Sequence, residues 1–324
     1  MPFSDIYGHE KQIGIIRQAL ALERVPHAYL FHGIPGVGKM STAVALAQAL
    51  NCLDETAVGD ACGHCLSCRK IAKGNHPDVF FVKADGQFIR IEMVREIRNI
   101  MIFRPMEARI RLFIMTDADR MNTAAANALL KTLEEPSSNT ILILITTRPG
   151  QLPPTIISRC QQIRFNPLPK EKIISCLMRD GSVSSEIAEE LSLASGGSIG
   201  KAVKMLSEGE RDKRTELIDK LLKIPRGAQW ATLGDNFGQD RETIIDRLMI
   251  WKSLLRDALV YATTGGATEL LNPAGREAIA YYADQYDAPR LLKQISAVED
   301  ALRAIEYNAN KQLTLEAMLI RTSG

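Results

Sequence analysis

The stretch Gly33-Ile34-Pro35-Gly36-Val37-Gly38-Lys39-Met40 decides how the rest of the chain is read. Its spacing is that of a phosphate-binding loop, G-x-x-x-x-G-K-[ST], complete through the lysine and altered at the last position. In such loops the glycines let backbone N–H groups wrap phosphates, the lysine reaches the β and γ oxygens, and the closing hydroxyl holds Mg2+. Gly33, Gly36, Gly38 and Lys39 are in place, but Met40 stands where the hydroxyl belongs. A thioether is a poor ligand for a hard, oxygen-preferring cation. Ser41 lies one residue late and serves only if the loop shifts register. Upstream, residues 28–32 form a short apolar run suited to a buried strand. Downstream, residues 41–50 are rich in Ala and Leu and read as a helix. Strand, glycine loop and helix aim the helix N-terminus at phosphates. A nucleotide fold follows, with ATP or ADP as ligand and Mg2+ disfavoured.

Composition sets outer bounds. A chain of 324 residues, 46% apolar and 24% charged, has room for two or three domains with ordinary globular cores. A net charge of +2 gives no global basic field, so any DNA contact must come from a local patch or from neighbouring subunits. The apolar run at 141–145 is far too short to span a bilayer, and the N-terminus lacks a basic-then-apolar signal pattern. A cytoplasmic protein without a membrane partner is expected.

Four of the six cysteines, Cys52, Cys62, Cys65 and Cys68, form C-x9-C-x2-C-x2-C, while Cys160 and Cys176 stand alone. In a reducing compartment such a cluster points to metal rather than disulfides. Four thiolates fill a closed tetrahedral Zn2+ site, which is structural because no position stays open for water. An iron–sulfur run would continue with a three-residue spacing to a fourth Cys-Pro, and Lys70-Ile71-Ala72 leads nowhere of that kind. His64 and His76 are the secondary ligand candidates, and four free thiols are the bland alternative.

Strand-like apolar segments recur at 28–32, 78–83, 111–116, 140–146 and 161–165. Helical stretches lie between them, notably at 91–102 and at 123–135, where Glu135-Pro136 stops the helix. Alternation of this kind argues for a parallel sheet covered on both faces, with the cysteine module inserted between the first helix and the second strand. At Asn166-Pro167-Leu168-Pro169 the pattern changes, and from Lys170 onward only amphipathic helical patterns remain. A second boundary falls near 208–214. The remainder, with Trp230 and Trp251, reads as a helical bundle.

A phosphate-loop ATPase needs an acidic pair at the end of a later strand, one to hold Mg2+ and one to orient the attacking water. The matching place is Thr116-Asp117-Ala118-Asp119. Thr116 takes the metal position and Asp117 the base position, so both groups that should touch the metal, Met40 and Thr116, are altered. Asp119 and Arg120 read as a solvated strand end. Thr146 and Thr147 close the next strand, placed so that the hydroxyl of either one can sense a γ-phosphate, with Thr147 the candidate site residue. Ser158-Arg159-Cys160 follows a short helix. Taken alone, Arg159 reads as a surface salt-bridge former.

Together these residues resemble a known family. Asn127-Ala128-Leu129-Leu130-Lys131-Thr132-Leu133-Glu134-Glu135-Pro136 is similar to the signature of bacterial clamp-loader subunits of the AAA+ family. Ser158-Arg159-Cys160 resembles their inter-subunit arginine-finger motif. The four-cysteine insert matches theirs in place and spacing, and residues 308–316 resemble the closing helix of their collar. The resemblance runs nearly end to end, strongest over 8–165 and thinnest over 211–300. It implies an AAA+ domain over 1–166 with its zinc module at 52–68, a small helical lid over 167–208, and an all-α collar over 209–324 that oligomerises.

It also implies a hetero-pentameric ring with gamma/tau and delta subunits, acting on a sliding clamp and primer-template DNA during replication. There Arg159 would complete the ATP site of an adjacent motor. Gly200 stands where motor subunits place a phosphate-sensing arginine, with Lys201 next to it. An active gamma/tau-like ATPase using Lys39, Asp117 and Thr147 is the rival. A nucleic-acid-binding finger is a third reading, for which Arg69, Lys70 and Lys73 form a small basic cluster, otherwise a solvated helix face.

Overall fold

Full burial of two central strands dictates the architecture. The computed structural model describes residues 2–86, 88–179, 181–206, 216–218, 237–238, 240–307 and 309–323. Five strands, β1 (Ala28–Gly33), β2 (Val79–Val82), β3 (Arg111–Met115), β4 (Thr140–Thr146) and β5 (Gln161–Phe165), form one sheet in the order β2-β3-β4-β1-β5. All four pairings are parallel. Every residue of β3 and β4 is buried, as expected of strands with helices on both faces. The five expected strands are therefore present, two with identical bounds.

Alternate side chains feed two cores. On one face Leu30, Phe113, Leu142 and Leu144 pack with Val94 and Ile97 of α4 (Ile91–Met101) and with Leu129 and Leu133 of α5 (Thr123–Glu134). The other residues of β1 carry rings: Tyr29 lies 5.7 Å from Phe31, and Phe31 lies 5.2 Å from Phe165 of β5. The helix α2 (Lys39–Asn51) packs on β1 and β4, with Ala43, Ala45, Leu46 and Ala47 buried. Small residues let this helix approach the sheet closely. The helix α1 (Glu10–Ala21) precedes β1, and α3 (Leu66–Ala72) belongs to the cysteine insert.

One buried ion pair shapes the β2–β3 edge. Asp78 is fully buried and accepts hydrogen bonds from the N–H groups of Met106, Glu107 and Ala108, and from Arg111 at 3.1 Å. Arg111 in turn donates to the carbonyls of Ile100, Phe103 and Arg104. A buried pair holds only when its remaining polar atoms are satisfied in this way.

After α6 (Pro154–Ile157) and β5, the helices α7 (Lys170–Leu177), α8 (Ser185–Ala194) and α9 (Ile199–Met205) follow, with no strand among the described residues from 170 onward. The chain divides into two compact units. The first holds the residues up to Cys176 together with Gly197–Lys201, and the second holds Leu177–Gly196 and the residues from Ala202 onward. The division of the chain at 208–214, and Trp230, lie outside the described residues.

In the second unit, α10 (Arg241–Thr264), α11 (Arg276–Ala283), α12 (Ala288–Glu306) and α13 (Lys311–Ser323) surround a core that includes Leu248, Trp251, Leu254, Leu291, Val298 and Leu315. Asp240 caps α10 by accepting from the N–H of Thr243 at 2.8 Å, and Gly265 ends it in the left-handed region. No described helix is long and apolar enough to cross a membrane.

Candidate functional site

The phosphate loop sits where the sequence puts it. β1 ends at Gly33, and α2 begins at Lys39 with Gly38 as its N-cap. Lys39 turns inward, donating to the carbonyls of Gly33 at 2.6 Å and Ile34 at 2.7 Å, and is only 6% exposed. Burial lowers its pKa to about 8, against the opposing pull of the Asp117 and Asp119 carboxylates. His9 braces the loop from outside, its Nε2 lying 2.7 Å from the Val37 carbonyl and its ring packed edge-on against Phe165.

A second segment ties down the crown of the loop. The N–H of Gly200 donates to the Gly36 carbonyl at 2.8 Å, and the Ser198 hydroxyl donates to the Pro35 carbonyl at 2.8 Å. The approach is backbone on backbone. A Cβ on Gly200 would lie 3.0 Å from Gly36 Cα and 3.1 Å from its carbonyl oxygen. Glycine at 200 thus has a packing reason, and an arginine there would have to push the loop away. In this arrangement Lys201 contributes its backbone N–H to the Ser198 hydroxyl at 3.2 Å.

The two altered metal positions carry a thioether and a neutral hydroxyl in place of the usual hydroxyl and carboxylate. Met40 presents a thioether in the first turn of α2, and the Thr116 hydroxyl donates to the Val82 carbonyl, 3.4 Å away on β2. Ser41 lies half-buried in that same first turn. Asp117 is exposed and adopts a left-handed backbone conformation, φ 50°.

Asp119 departs from the reading as a solvated strand end. Its carboxylate is 2% exposed, accepts from the Thr146 hydroxyl at 2.5 Å and from Arg148 at 2.8 and 3.0 Å. The T-D-A-D stretch bends back toward β4, and that bend buries the second acid rather than the first. Arg120 is half-buried and its carbonyl accepts from the N–H of Ile89. Thr146 is thereby committed to Asp119, whereas Thr147 is exposed.

Arg159 follows α6 and is 37% exposed. Its guanidinium pairs with Glu134 at 2.8 Å and donates to the Thr155 carbonyl at 3.0 Å. Sequence reading gave no role to Glu134. Its place on the last turn of α5, just before Glu135-Pro136, is a signal only when α6 is known to dock there.

The four cysteines converge. The Sγ atoms of Cys52, Cys62, Cys65 and Cys68 all lie within 4.8 Å of one another. A tetrahedral site with metal–sulfur bonds of about 2.3 Å needs sulfurs about 3.8 Å apart, so the cluster can hold a metal ion with small adjustment. Cys52 follows the end of α2, and Cys65 caps α3. The N–H groups of Cys62, Cys65 and Cys68 point at Cys52, Cys62 and Cys65 sulfurs at 3.3–3.4 Å, which favours thiolates. Burial opposes the Cys65 thiolate, yet N–H donation from Cys68 and Leu53 outweighs it and brings the pKa to about 6. Burial raises those of Cys52 and Cys68.

Gln48 is fully buried and donates to the Cys68 carbonyl at 2.7 Å, fastening the module to α2. His64 bonds the Cys62 carbonyl, and its ring and the Asp54 carboxylate each place a ligand atom within 4.8 Å of the Cys62 sulfur, while His76 accepts from the N–H of Asp78. In the nearby basic cluster Lys70 is paired with Glu107 at 2.6 Å, while Arg69 and Lys73 are exposed.

A family model described as DNA polymerase III, delta subunit, matches residues 8–169, and a second, for the C-terminal part of the DNA polymerase III delta subunit, matches residues 209–324. The DNA polymerase III subunit delta' of Bacillus subtilis (strain 168) is 30% identical over 315 residues, spanning 94% of this chain and 93% of its own length. That of Pseudomonas aeruginosa is 32% identical over 311 residues, 91% of each chain. The DNA polymerase III subunit tau of Bacillus subtilis is 27% identical over 98% of this chain and 61% of its own length. Among solved structures, a DNA polymerase III gamma subunit-related protein from Thermotoga maritima covers 96% of this chain and 98% of its own, with a TM-score of 0.48 and 18% identity. The chain belongs to the delta' subunit family of DNA polymerase III.

Proposed function

We propose that this chain is a non-motor subunit of the DNA polymerase III clamp loader, which lends Arg159 to the ATP site of a neighbouring motor. The observation that carries this reading is the state of its own phosphate loop. Lys39 is turned onto the loop carbonyls, and Gly200 is hydrogen-bonded to Gly36 in the space a phosphate-sensing side chain would need. With Met40 and Thr116 in the two metal positions, nucleotide held by Gly33, Gly36, Gly38, Lys39 and Ser41 would lack Mg2+. Backbone N–H groups alone can still bind phosphate.

Family membership supports the assembly part of the proposal. The partners would be gamma/tau and delta subunits in a hetero-pentameric ring, with the sliding clamp and primer-template DNA engaged through the complex. The ring works in the cytoplasm during replication. The proposed division is an AAA+ domain over 1–166, a lid over 167–208 and an oligomerising collar over 209–324. Cys52, Cys62, Cys65 and Cys68 would hold one structural Zn2+, which organises the insert without opening a coordination site.

The rival is a gamma/tau-like motor, favoured by the intact Lys39 with Asp117 and Asp119 close enough to support its charge. Titration of the purified chain with a fluorescent ATP analogue separates the two. The proposal expects affinity to be unchanged by EDTA and no phosphate release. Mg2+-dependent binding with turnover, both abolished by Lys39→Ala, would establish the motor instead.

A further inference from the structure

Arg159 is the group the proposed function places in a neighbour's ATP site, and its side chain is not loose. Arginine carries five N–H donors in a planar fork. Nη1 gives one to the Thr155 carbonyl at 3.0 Å, and Nη2 gives one to Glu134 Oε1 at 2.8 Å. Three donors remain beyond these two, enough to engage a phosphate while both contacts persist.

The backbone at each end of this ion pair is packed. Glu134 follows Leu133, which is 4% exposed, and Arg159 comes three residues after Ile156 at 0% and just before Cys160 at 9%. All three belong to one core cluster under the sheet. The backbones from which Glu134 and Arg159 project are thereby held by packed neighbours. An arginine without such a partner loses rotamer freedom when it reaches a phosphate, and that loss opposes catalysis.

We infer that Glu134 is a positioning residue for Arg159, holding the guanidinium in one presented orientation for the γ-phosphate of the adjoining site. The inference rests on the reading of Arg159 as the arginine donated in trans. As an exposed ion pair, Glu134–Arg159 contributes little to folding. Its effect belongs to kcat at the neighbour's site, because the aligned arginine stabilises charge that develops during phosphoryl transfer.

The experiment is a double-mutant cycle in the complete ring, with the other ATP sites silenced by substitution of their own phosphate-loop lysines. Arg159→Ala, Glu134→Ala and the double variant are made in this chain, and assembly is followed by co-purification. Glu134→Ala is expected to lower kcat roughly three- to tenfold with ATP KM unchanged, the size of a lost side-chain preorganisation. Glu134→Gln, which keeps a carbonyl acceptor, restores part of the loss. In the Arg159→Ala background, Glu134→Ala has no further effect. If Arg159→Ala lowers kcat while Glu134→Ala does not, the trans arginine stands and the positioning role is overturned. Additive effects would also overturn it, because Glu134 would then act elsewhere. If Arg159→Ala changes nothing, the proposed function fails and the positioning role with it.

Discussion

At the residue scale the molecule is most informative where a side chain contradicts its motif. Lys39 stands at the lysine position of the phosphate-loop motif, yet it is buried and donates to Gly33 and Ile34 carbonyls. Burial lowers its folded-state pKa from 10.5 to about 8. Between those values the unfolded chain binds more protons than the folded one, so stability rises with pH through that window. Below about pH 8 both states carry the charge and the cost of burying it is fully present.

Denaturant unfolding of wild type and Lys39→Met, compared from pH 7.5 to 10.5, is expected to show wild type gaining on the variant as pH rises. A constant difference would mean that the ammonium is solvated. The motif was fully legible in the sequence, and so were Met40 and Gly200 as departures. The burial of Asp119 was not legible. Whether the first or the second acid of Asp117-Ala118-Asp119 turns inward depends on the left-handed backbone at Asp117 and on Thr146 and Arg148, which lie 27 and 29 residues further along.

At the element scale the strands read well because fully buried parallel strands are continuous apolar runs, as in Ile141-Leu142-Ile143-Leu144-Ile145. The helix after the loop begins at Lys39 rather than at 41, since loop glycines disguise a helix start that Gly38 caps. The cysteine module is an element whose order depends on chemistry more than on core. Its own cluster of buried residues is Cys52, Ala61 and Cys68.

Removing one sulfur should therefore release the ion and loosen the segment. Elemental analysis is expected to find one zinc per wild-type chain and a large loss in Cys68→Ser. Hydrogen exchange of residues 52–72 should quicken in the variant. Iron, or no metal in the wild type, would contradict the assignment. The Asp78–Arg111 pair also escaped sequence reading, because an Asp opening one strand and an Arg opening another carry no local sign of meeting.

For the whole molecule, family membership and the sheet order agree with what the motifs implied. Pro167 and Pro169 mark a change of pattern, yet the first compact unit continues to Cys176 and takes back Gly197–Lys201. The contact between Gly200 and Gly36 is what returns that segment, and a glycine pair gives no periodic signal.

The central claim is that the chain acts through Arg159 rather than through its own phosphate loop. ATP turnover by the reconstituted ring, with clamp and primed DNA present, tests it when Lys39→Ala and Arg159→Ala are each made in this chain only. The account predicts that Arg159→Ala slows turnover, by as much as ~10³-fold at the adjoining site, while Lys39→Ala leaves it unchanged. Loss of turnover on Lys39→Ala, with Arg159→Ala without effect, would make this chain a motor and contradict the account.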